Sequence, residues 1–480
     1  MLEKKLFFKK IFLYKDAEEF SRISGDFNPI HLNNEFASKS IHGRRVVHGM
    51  HAFFWALECL YTSANYNRLN SIEVKFKNPI FFKQDVYLEI TKKNTNLFNF
   101  SIFDENSPKV FFSILAYPCK AVSKSIKSKI FSKTYPNEMD LKSLKTNYYE
   151  VDTRFNKGLF KKAFNNLYKK IDHFVLGSLL ATSKVIGMKK PGKYSRYISL
   201  KAKIIIKERS LLYKVKSFDS RFSLLNLNLK GTLMGEIEAI IPQKPVKVMS
   251  VTKINNLIKK NKFNFQSYFK TKKVLIIGGS RGLGAYLVKV LALQGAEVLF
   301  SYNYNKKDSL RIIRELKDFK RINIQTCKVN ILKNNVNAFK NFQADYVFYM
   351  ATPQIGKIEN KKSIDPKKLN EFYDYYISGF LNVYNLYTFN NKNKVKFFYP
   401  SSVLVNKIKF MNSEYLIIKK LGEEICKALN KNKSSNNKIL VSKIKPLLTD
   451  QHLSFYGSTN LSLPFKNILN LVKEIKTLKT

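Results

Sequence analysis

The sequence predicts an α+β unit followed by an α/β unit with a doubly wound parallel sheet, in one chain of 480 residues. Three observations predict this. Apolar residues recur at helical spacing after Gly49, and a similar apolar helix opens at Val175. Each of these segments runs on into strand-like stretches. Further along, a short apolar run, Lys273–Ile277, passes through a glycine cluster into a helical segment, the strand–turn–helix order of a parallel sheet. At ~150 residues per domain the length allows about three domains.

Residues 1–125 read as one domain. Met50, Phe53, Phe54, Leu57, Leu60 and Tyr61 mark the buried face of a helix. Ser71–Phe76, Asp85–Thr91, Leu97–Phe103 and Val110–Pro118 read as strands between Asn, Lys and Pro turns. Residues 126–245 repeat the plan, with a second apolar helix from Val175 and the run Gly187-Met188-Lys189-Lys190-Pro191-Gly192 leading into strands. The stretch from Gly49 to the Val74 strand nearly equals that from Gly177 to the Leu200 strand. Residues 246–270 turn basic and polar, and read as a linker with one short helix that starts at Gln243-Lys244-Pro245. Residues 271–480 alternate strands and helices, with strands at Lys273–Ile277, Glu297–Phe300 and Val395–Tyr399.

With 45% hydrophobic and 14% aromatic residues the chain has the means to bury substantial cores. No run approaches the ~18 apolar residues of a membrane span. Met1-Leu2-Glu3-Lys4-Lys5 leads into no signal-peptide core, so a cytoplasmic location is expected. Cys59, Cys119, Cys327 and Cys426 lack metal-ligand spacing and read as reduced thiols; no metal is expected. The formal net charge of +50 ordinarily points to nucleic acid, membrane surfaces or acidic partners. Here the lysines are dispersed and accompany heavy use of Asn, Ile, Phe and Tyr, all with A/T-rich codons. Base composition is therefore a sufficient cause, and nucleic acid is not expected as a partner.

Ser24-Gly25-Asp26-Phe27-Asn28-Pro29-Ile30-His31 sets a carboxylate and an imidazole on either side of an Asn-Pro turn, which can aim both into one cleft. Val46-Val47-His48-Gly49-Met50 then opens the first apolar helix. A carboxylate and an imidazole can divide proton transfers near neutral pH. A helix N-terminus at Gly49 offers an unpaired amide to a developing oxyanion. Asp-x-Asn-Pro is also a common turn former, and His48 and His51 read as packing or capping residues. The octapeptide with its His-Gly-Met resembles the R-specific enoyl-CoA hydratases, MaoC-like hot-dog proteins in which an antiparallel sheet wraps a long helix. The resemblance implies catalytic roles for Asp26 and His31, oxyanion contact through the Gly49 amide, and substrate contact at Asn28. The second region lacks the motif, so the resemblance implies a fused double hot-dog whose other half completes the acyl pocket. A homodimer of the chain is left open.

In the C-terminal region, Gly278-Gly279-Ser280-Arg281-Gly282-Leu283-Gly284 follows the apolar strand directly. Gly278 permits the tight turn, Gly282 permits backbone approach to a pyrophosphate, and Gly284 lets helix and strand pack closely. The spacing resembles the short-chain dehydrogenase/reductase family, and Tyr415-Leu416-Ile417-Ile418-Lys419 with Ser402 upstream resembles that family's catalytic set. The resemblance implies a Rossmann domain with Gly278, Ser280, Arg281, Gly282, Leu283, Gly284, Tyr415 and Lys419 at the cofactor. It implies that Tyr415 passes a proton, Ser402 holds the carbonyl oxygen, and Lys419 lowers the tyrosine pKa and holds the ribose. Three positions depart from the family: Tyr376 stands where an Asn is usual, Met350-Ala351-Thr352-Pro353 replaces Asn-Asn-Ala-Gly, and Lys328 replaces an acid near the adenine. Ser301-Tyr302-Asn303-Tyr304-Asn305 has no acid for a ribose hydroxyl, and Arg281 suits a 2′-phosphate, so NADPH is the expected cofactor.

Together the resemblances imply a bifunctional acyl-thioester enzyme. It would reduce a 3-oxoacyl thioester to the (R)-3-hydroxyacyl form and interconvert that with the trans-2-enoyl thioester, carried on CoA or acyl-carrier protein. Two alternatives stay open: one active domain beside an inert one, or a basic acyl-carrier-docking protein on degenerate enzyme folds.

Overall fold

The computed structural model describes residues 5–63, 66, 68–105, 107–118, 126–138, 147–318, 322–333, 335–355, 363–390, 394–408, 412–432, 434–447, 449 and 464–478. Cys119 lies outside the described residues, while Cys59, Cys327 and Cys426 carry free thiols. The chain divides into two compact units between Lys244 and Pro245.

Among the described residues of the N-terminal unit, alternation of apolar and polar residues builds ten strands. They are β1 (Lys5–Ile11), β2 (Arg68–Phe76), β3 (Asp85–Lys92), β4 (Leu97–Phe103), β5 (Pro108–Tyr117), β6 (Tyr149–Glu150), β7 (Arg196–Ile204), β8 (Leu211–Asp219), β9 (Leu224–Gly231) and β10 (Leu233–Ile240). They form one antiparallel sheet in the order β1-β3-β4-β5-β2-β7-β10-β9-β8-β6. Its halves join along β2 and β7, where Val74 pairs with Leu200. The two strands equated by their distance from Gly49 and Gly177 are thus hydrogen-bonded neighbours.

Helices α1 (Tyr14–Ser24), α2 (Pro29–Leu32), α3 (Asn34–Ala37), α4 (Gly49–Ser63), α5 (Lys157–Ala163), α6 (Asn165–Lys170) and α7 (His173–Lys184) complete this unit. Met50, Phe53, Phe54 and Leu57 of α4 and Leu176, Leu179 and Leu180 of α7 are buried in one shared core, each such side chain worth ~1.5–3 kcal/mol. The Glu58 carboxylate accepts the Asn166 and Leu167 amides at 2.9 and 3.0 Å, pairing donors at the start of α6. β1 and α1 were not foreseen from the sequence. α1 opens where the Asp16 carboxylate accepts from the Leu13 amide and stops at Gly25, whose φ of 76° suits glycine.

Among its described residues the C-terminal unit holds six parallel strands: β11 (Lys273–Ile277), β12 (Glu297–Tyr302), β13 (Ile324–Lys328), β14 (Tyr346–Tyr349), β15 (Lys396–Ser402) and β16 (Lys438–Ile444). Their order is β13-β12-β11-β14-β15-β16. The helices are α8 (Val251–Lys260), α9 (Gln266–Phe269), α10 (Gly282–Leu293), α11 (Lys306–Lys317), α12 (Pro366–Tyr373), α13 (Gly379–Asn390), α14 (Ser413–Lys431) and α15 (Phe465–Thr477). Val274 and Ile276 share a core with α8, α10 and α15, while Leu275 and Ile277 share another with α13 and α14. Both sheet faces are covered, which is why β11 reads as an unbroken apolar run.

Residues 246–270 are not a free linker. Val251, Ile254 and Ile258 of α8 bury one helical stripe in the C-terminal core, together with Phe263 and Phe269. The fully buried Lys289 ammonium secures this segment, donating to the Met249 carbonyl and to Glu315, each at 2.7 Å. Among the described residues no helix is long and apolar enough to cross a membrane.

Candidate active sites

The first site begins where α1 ends. The left-handed turn at Gly25 sends Asp26 inward, leaving it only 2% exposed. Its Oδ1 accepts the Asn28 amide at 3.1 Å and its Oδ2 accepts the Ser183 hydroxyl at 2.7 Å. Ser183 belongs to α7, in the half that lacks the motif. α7 continues as a π-helical turn, Val185–Lys189, that closes directly on the carboxylate. A Cβ at Gly187 would stand 2.3 Å from Asp26 Oδ1, so only glycine fits there.

Asn28 closes the same junction. Its Oδ1 accepts from the Ile30 amide at 3.1 Å, capping α2, and its Nδ2 donates to the carbonyls of Gly187 (2.8 Å) and Gly192 (3.2 Å). Both amide protons are therefore engaged inside the protein. Substrate contact, expected from the resemblance, gives way to a clamp between the halves.

His31 sits on α2, partly exposed, with Nδ1 donating to the Val46 carbonyl at 2.7 Å. That bond assigns the proton to Nδ1 and leaves Nε2 an acceptor. The His31 ring lies flat on His48, with centroids 3.6 Å apart and planes 26° from parallel. His48 Nε2 donates in turn to the Asp26 backbone carbonyl at 3.1 Å. One side-chain atom from each of Asp26, His31 and His48 lies within 4.8 Å of the others. Such a set places a carboxylate and two imidazoles close enough to exchange protons. Burial raises the Asp26 carboxyl to about 6, opposed by Ser183 and the Asn28 amide. Burial also lowers His31 to about 4; Arg45 adds to this and the Val46 bond opposes it. Both groups are thus drawn towards their neutral forms.

Gly49 begins α4, so its amide belongs to the first turn, where no intrahelical acceptor exists. A Cβ there would meet the Phe76 ring at 2.7 Å. Ser183, Gly187, Gly192 and the role of His48 were not legible beforehand. The glycines framing Gly187–Gly192 were the only signal, and nothing local ties them to Asp26.

The second candidate site lies at the C-terminal ends of the parallel strands, where strand order reverses about β11 and β14. Gly278 and Gly282 take φ of 83° and 51°, and a Cβ at Gly284 would meet the Gly278 carbonyl at 2.2 Å. At Gly282, among the described residues, a Cβ would find nothing nearer than Thr449 at 3.9 Å, at the N-terminus of α10. Such a cradle fits a nucleotide diphosphate. Ser280 is buried, and Arg281 and Leu283 flank the glycine at the loop. The Ser301 hydroxyl at the end of β12 accepts the Gly278 amide at 3.1 Å, and Lys328 ends β13 exposed.

Ser402 at the end of β15 and Tyr415 on α14 come together: burial raises the phenol to about 12, and the Ser402 hydroxyl holds that rise down. Lys419 differs from expectation. It is 3% exposed, donates to the Pro400 carbonyl at 2.6 Å, and sits 3.6 Å from the Tyr376 ring centre against 5.9 Å from that of Tyr415. Burial lowers its ammonium to about 7. Burial raises the Tyr415 phenol and the Ser402 hydroxyl opposes it, with no contribution from Lys419. Tyr376 lies on a second π-helical turn, Asp374–Ser378, is stacked on Phe372, and hydrogen-bonds Thr352 through its hydroxyl. Thr352 is one of the residues replacing the usual Asn-Asn-Ala-Gly.

Residues 9–106 match the family model of the MaoC like domain, and residues 274–441 match that of the NAD dependent epimerase/dehydratase family. The chain thus carries a MaoC-like domain near its N-terminus and a Rossmann-type domain towards its C-terminus. No curated protein matches the chain by sequence. A short-chain dehydrogenase/reductase from Serratia marcescens is 15% identical, with 43% of this chain and 91% of its own covered, at a TM-score of 0.38. A short chain dehydrogenase from Salmonella enterica is 15% identical over 43% and 90%, at 0.39. L-sorbose reductase from Gluconobacter frateurii, complexed with NADPH and L-sorbose, is 14% identical over 38% and 72%, at 0.35.

Proposed function

We propose that the chain is a bifunctional acyl-thioester enzyme: an (R)-specific 2-enoyl-thioester hydratase in its N-terminal unit and an NADPH-dependent 3-oxoacyl reductase in its C-terminal unit. The paired half-sheets support a double hot-dog over residues 1–245, and the sheet covered on both faces supports a doubly wound Rossmann domain beyond it. The observation that carries the reading is the convergence of Asp26 and His31, each drawn by burial towards its neutral form.

In the hydration direction, water adds to C3 of the enoyl thioester while His31 Nε2 takes its proton. The protonated Asp26 gives its proton to C2. The thioester oxygen, negative during the step, takes the Gly49 amide, whose helix-terminal dipole favours that charge. Transfer of the proton from His31 to Asp26 resets the pair. Dehydration is the same path reversed.

In the C-terminal unit the glycine cradle from Gly278 to Gly284 would hold the dinucleotide, with Arg281 at the 2′-phosphate. The cofactor supplies a hydride when bound. Tyr415, whose phenol keeps its proton to about pH 12, donates it to the substrate oxygen, and Ser402 hydrogen-bonds that oxygen. The acyl group would arrive on CoA or acyl-carrier protein, both acidic and suited to a chain of net charge +50.

A second reading, in which only the hydratase turns over and the C-terminal unit binds nucleotide, is favoured by the buried contact of Lys419 with Tyr376. Incubation with acetoacetyl and longer 3-oxoacyl thioesters plus NADPH, followed by mass analysis of products, separates the two. Formation of 3-hydroxyacyl and 2-enoyl products supports the bifunctional reading. Hydration of added enoyl thioester without NADPH consumption supports the second.

A further inference from the structure

His48 was expected to be a packing or capping residue, and its contacts go beyond both. It is 1% exposed. Its backbone carbonyl accepts the His51 and Ala52 amides at 3.0 and 3.3 Å, so it caps the start of α4 immediately before Gly49. Its Nε2 donates to the Asp26 carbonyl, and Ser21 Oγ stands at 3.5 Å from the same nitrogen. Its ring face supports the whole His31 imidazole. Among the described residues its buried Nδ1 has no hydrogen-bond partner, which is a cost that packing alone does not require.

Three pieces of the proposed hydratase thus meet on one residue: the Asp26 turn and the His31 ring on its side chain, and the helix start bearing Gly49 on its backbone. We propose that His48 is a positioning residue for the hydration step, holding His31 and Asp26 in register with the Gly49 amide without touching substrate. This rests on the hydratase reading. The physical need is clear. Rotation of His31 about its side-chain bonds would change where Nε2 points, and the Val46 bond fixes only one point of the ring. Contact across a full ring face removes the remaining freedom. A phenyl ring has the shape to supply that contact but no donor for Asp26; an alanine supplies neither.

The test uses the full chain and three variants, His48→Phe, His48→Gln and His48→Ala, with crotonyl-CoA as the probe. Two readouts are taken: kcat and KM for loss of the conjugated enoyl absorbance, and the imidazole ¹⁵N tautomer pattern. Misplacing a catalytic group by about 1 Å costs on the order of 100-fold. His48→Ala should therefore lower kcat by roughly 10- to 100-fold with KM within about twofold. His48→Phe should stay closer to wild type than His48→Ala, since the stack survives. In the ¹⁵N spectrum His31 should remain the Nδ1–H tautomer in wild type and His48→Phe, and become a mixture in His48→Ala. A wild-type kcat in His48→Ala with an unchanged His31 tautomer overturns the proposal. So does a rise in KM at constant kcat, which would mean that His48 touches substrate. Should His48→Ala fail to fold, His48→Gln, which keeps a donor but no flat ring, takes its place with the same expectations. Should the wild type leave crotonyl-CoA unchanged, the hydratase reading fails, while the tautomer pattern still decides whether His48 positions His31.

Discussion

Lys419 holds its ammonium 3.6 Å from the centre of the Tyr376 ring and donates to the Pro400 carbonyl at 2.6 Å. A desolvated cation over an aromatic face gains about 2 kcal/mol, and Tyr399 lies on another side at 5.0 Å. These protein contacts occupy the group that the resemblance assigns to the cofactor ribose. Lys419→Met, which keeps volume and removes charge, should therefore change NADPH affinity by less than about twofold. A tenfold loss, about 1.4 kcal/mol, measured by fluorescence titration, would mean that the lysine reaches the ribose on binding.

Tyr415→Phe removes only the hydroxyl beside Ser402. NADPH binding should persist while reduction of acetoacetyl-CoA falls by about 100- to 10,000-fold, the span of a lost general acid. Equal rates in wild type and variant, followed by NADPH oxidation, would leave the C-terminal unit as a nucleotide-binding scaffold.

Arg281 flanks the glycine loop at the N-terminus of α10. One charge-assisted contact to a 2′-phosphate contributes ~1.5–3 kcal/mol, or about ten- to a hundredfold in affinity. The wild type should bind NADPH more tightly than NADH by that ratio, and Arg281→Ala should flatten it. Equal wild-type affinities would refute the selectivity.

Asp26→Asn should abolish hydration yet stabilise the fold at pH 7–8. Asp26 binds its proton more tightly folded than unfolded, with its carboxyl raised from 3.8 to about 6. The associated stability is complete below about pH 4 and lost as pH rises through about 6. Removing the charge should restore about 1–3 kcal/mol at neutral pH, seen as a higher Tm. A lower Tm at pH 8 would contradict the buried-carboxylate argument. His31→Ala should likewise lose hydration with NADPH binding intact.

The pH profile follows from the same pair. Both directions need Asp26 and His31 to hold one proton between them. Hydration should peak between about pH 4 and pH 6, falling on the acid side as His31 charges and on the alkaline side as Asp26 ionises. A plateau extending to pH 8 would rule out the protonated carboxyl as donor.

Gly187→Ala tests the junction from the other half. Its Cβ would fall 2.3 Å from the Asp26 carboxylate, so overpacking of about 1–3 kcal/mol and loss of hydration are expected. Gly187 lies far from the Asp26 motif in sequence, so unimpaired hydration by this variant would mean that the second half does not shape the site.

Period and motif were legible from the residues alone. The stripe from Met50 to Tyr61, the strands from Ser71 to Pro118 and the glycine turn after Lys273–Ile277 each carry their signal within about a dozen residues, the range over which local propensity acts. The near-equal spacings to Val74 and Leu200 also foretold which strands correspond. α8 was underestimated because its apolar stripe, Val251, Ile254 and Ile258, is narrow amid lysines, and only the C-terminal core shows what it covers.

The sequence by itself determined that an acid, an imidazole and a helix-start glycine lie within one short stretch, and that a glycine loop precedes a Ser–Tyr–Lys set. Tertiary structure alone decided the electrostatics of each. Ser183 and Gly187 reach Asp26 from the helix of the other half and its π-helical turn, His48 stacks on His31 across an intervening loop, and Tyr376 meets Lys419 from a different helix. Burial and orientation depend on what the folded chain brings alongside a side chain, and those neighbours lie too far apart in sequence for any local pattern to encode them.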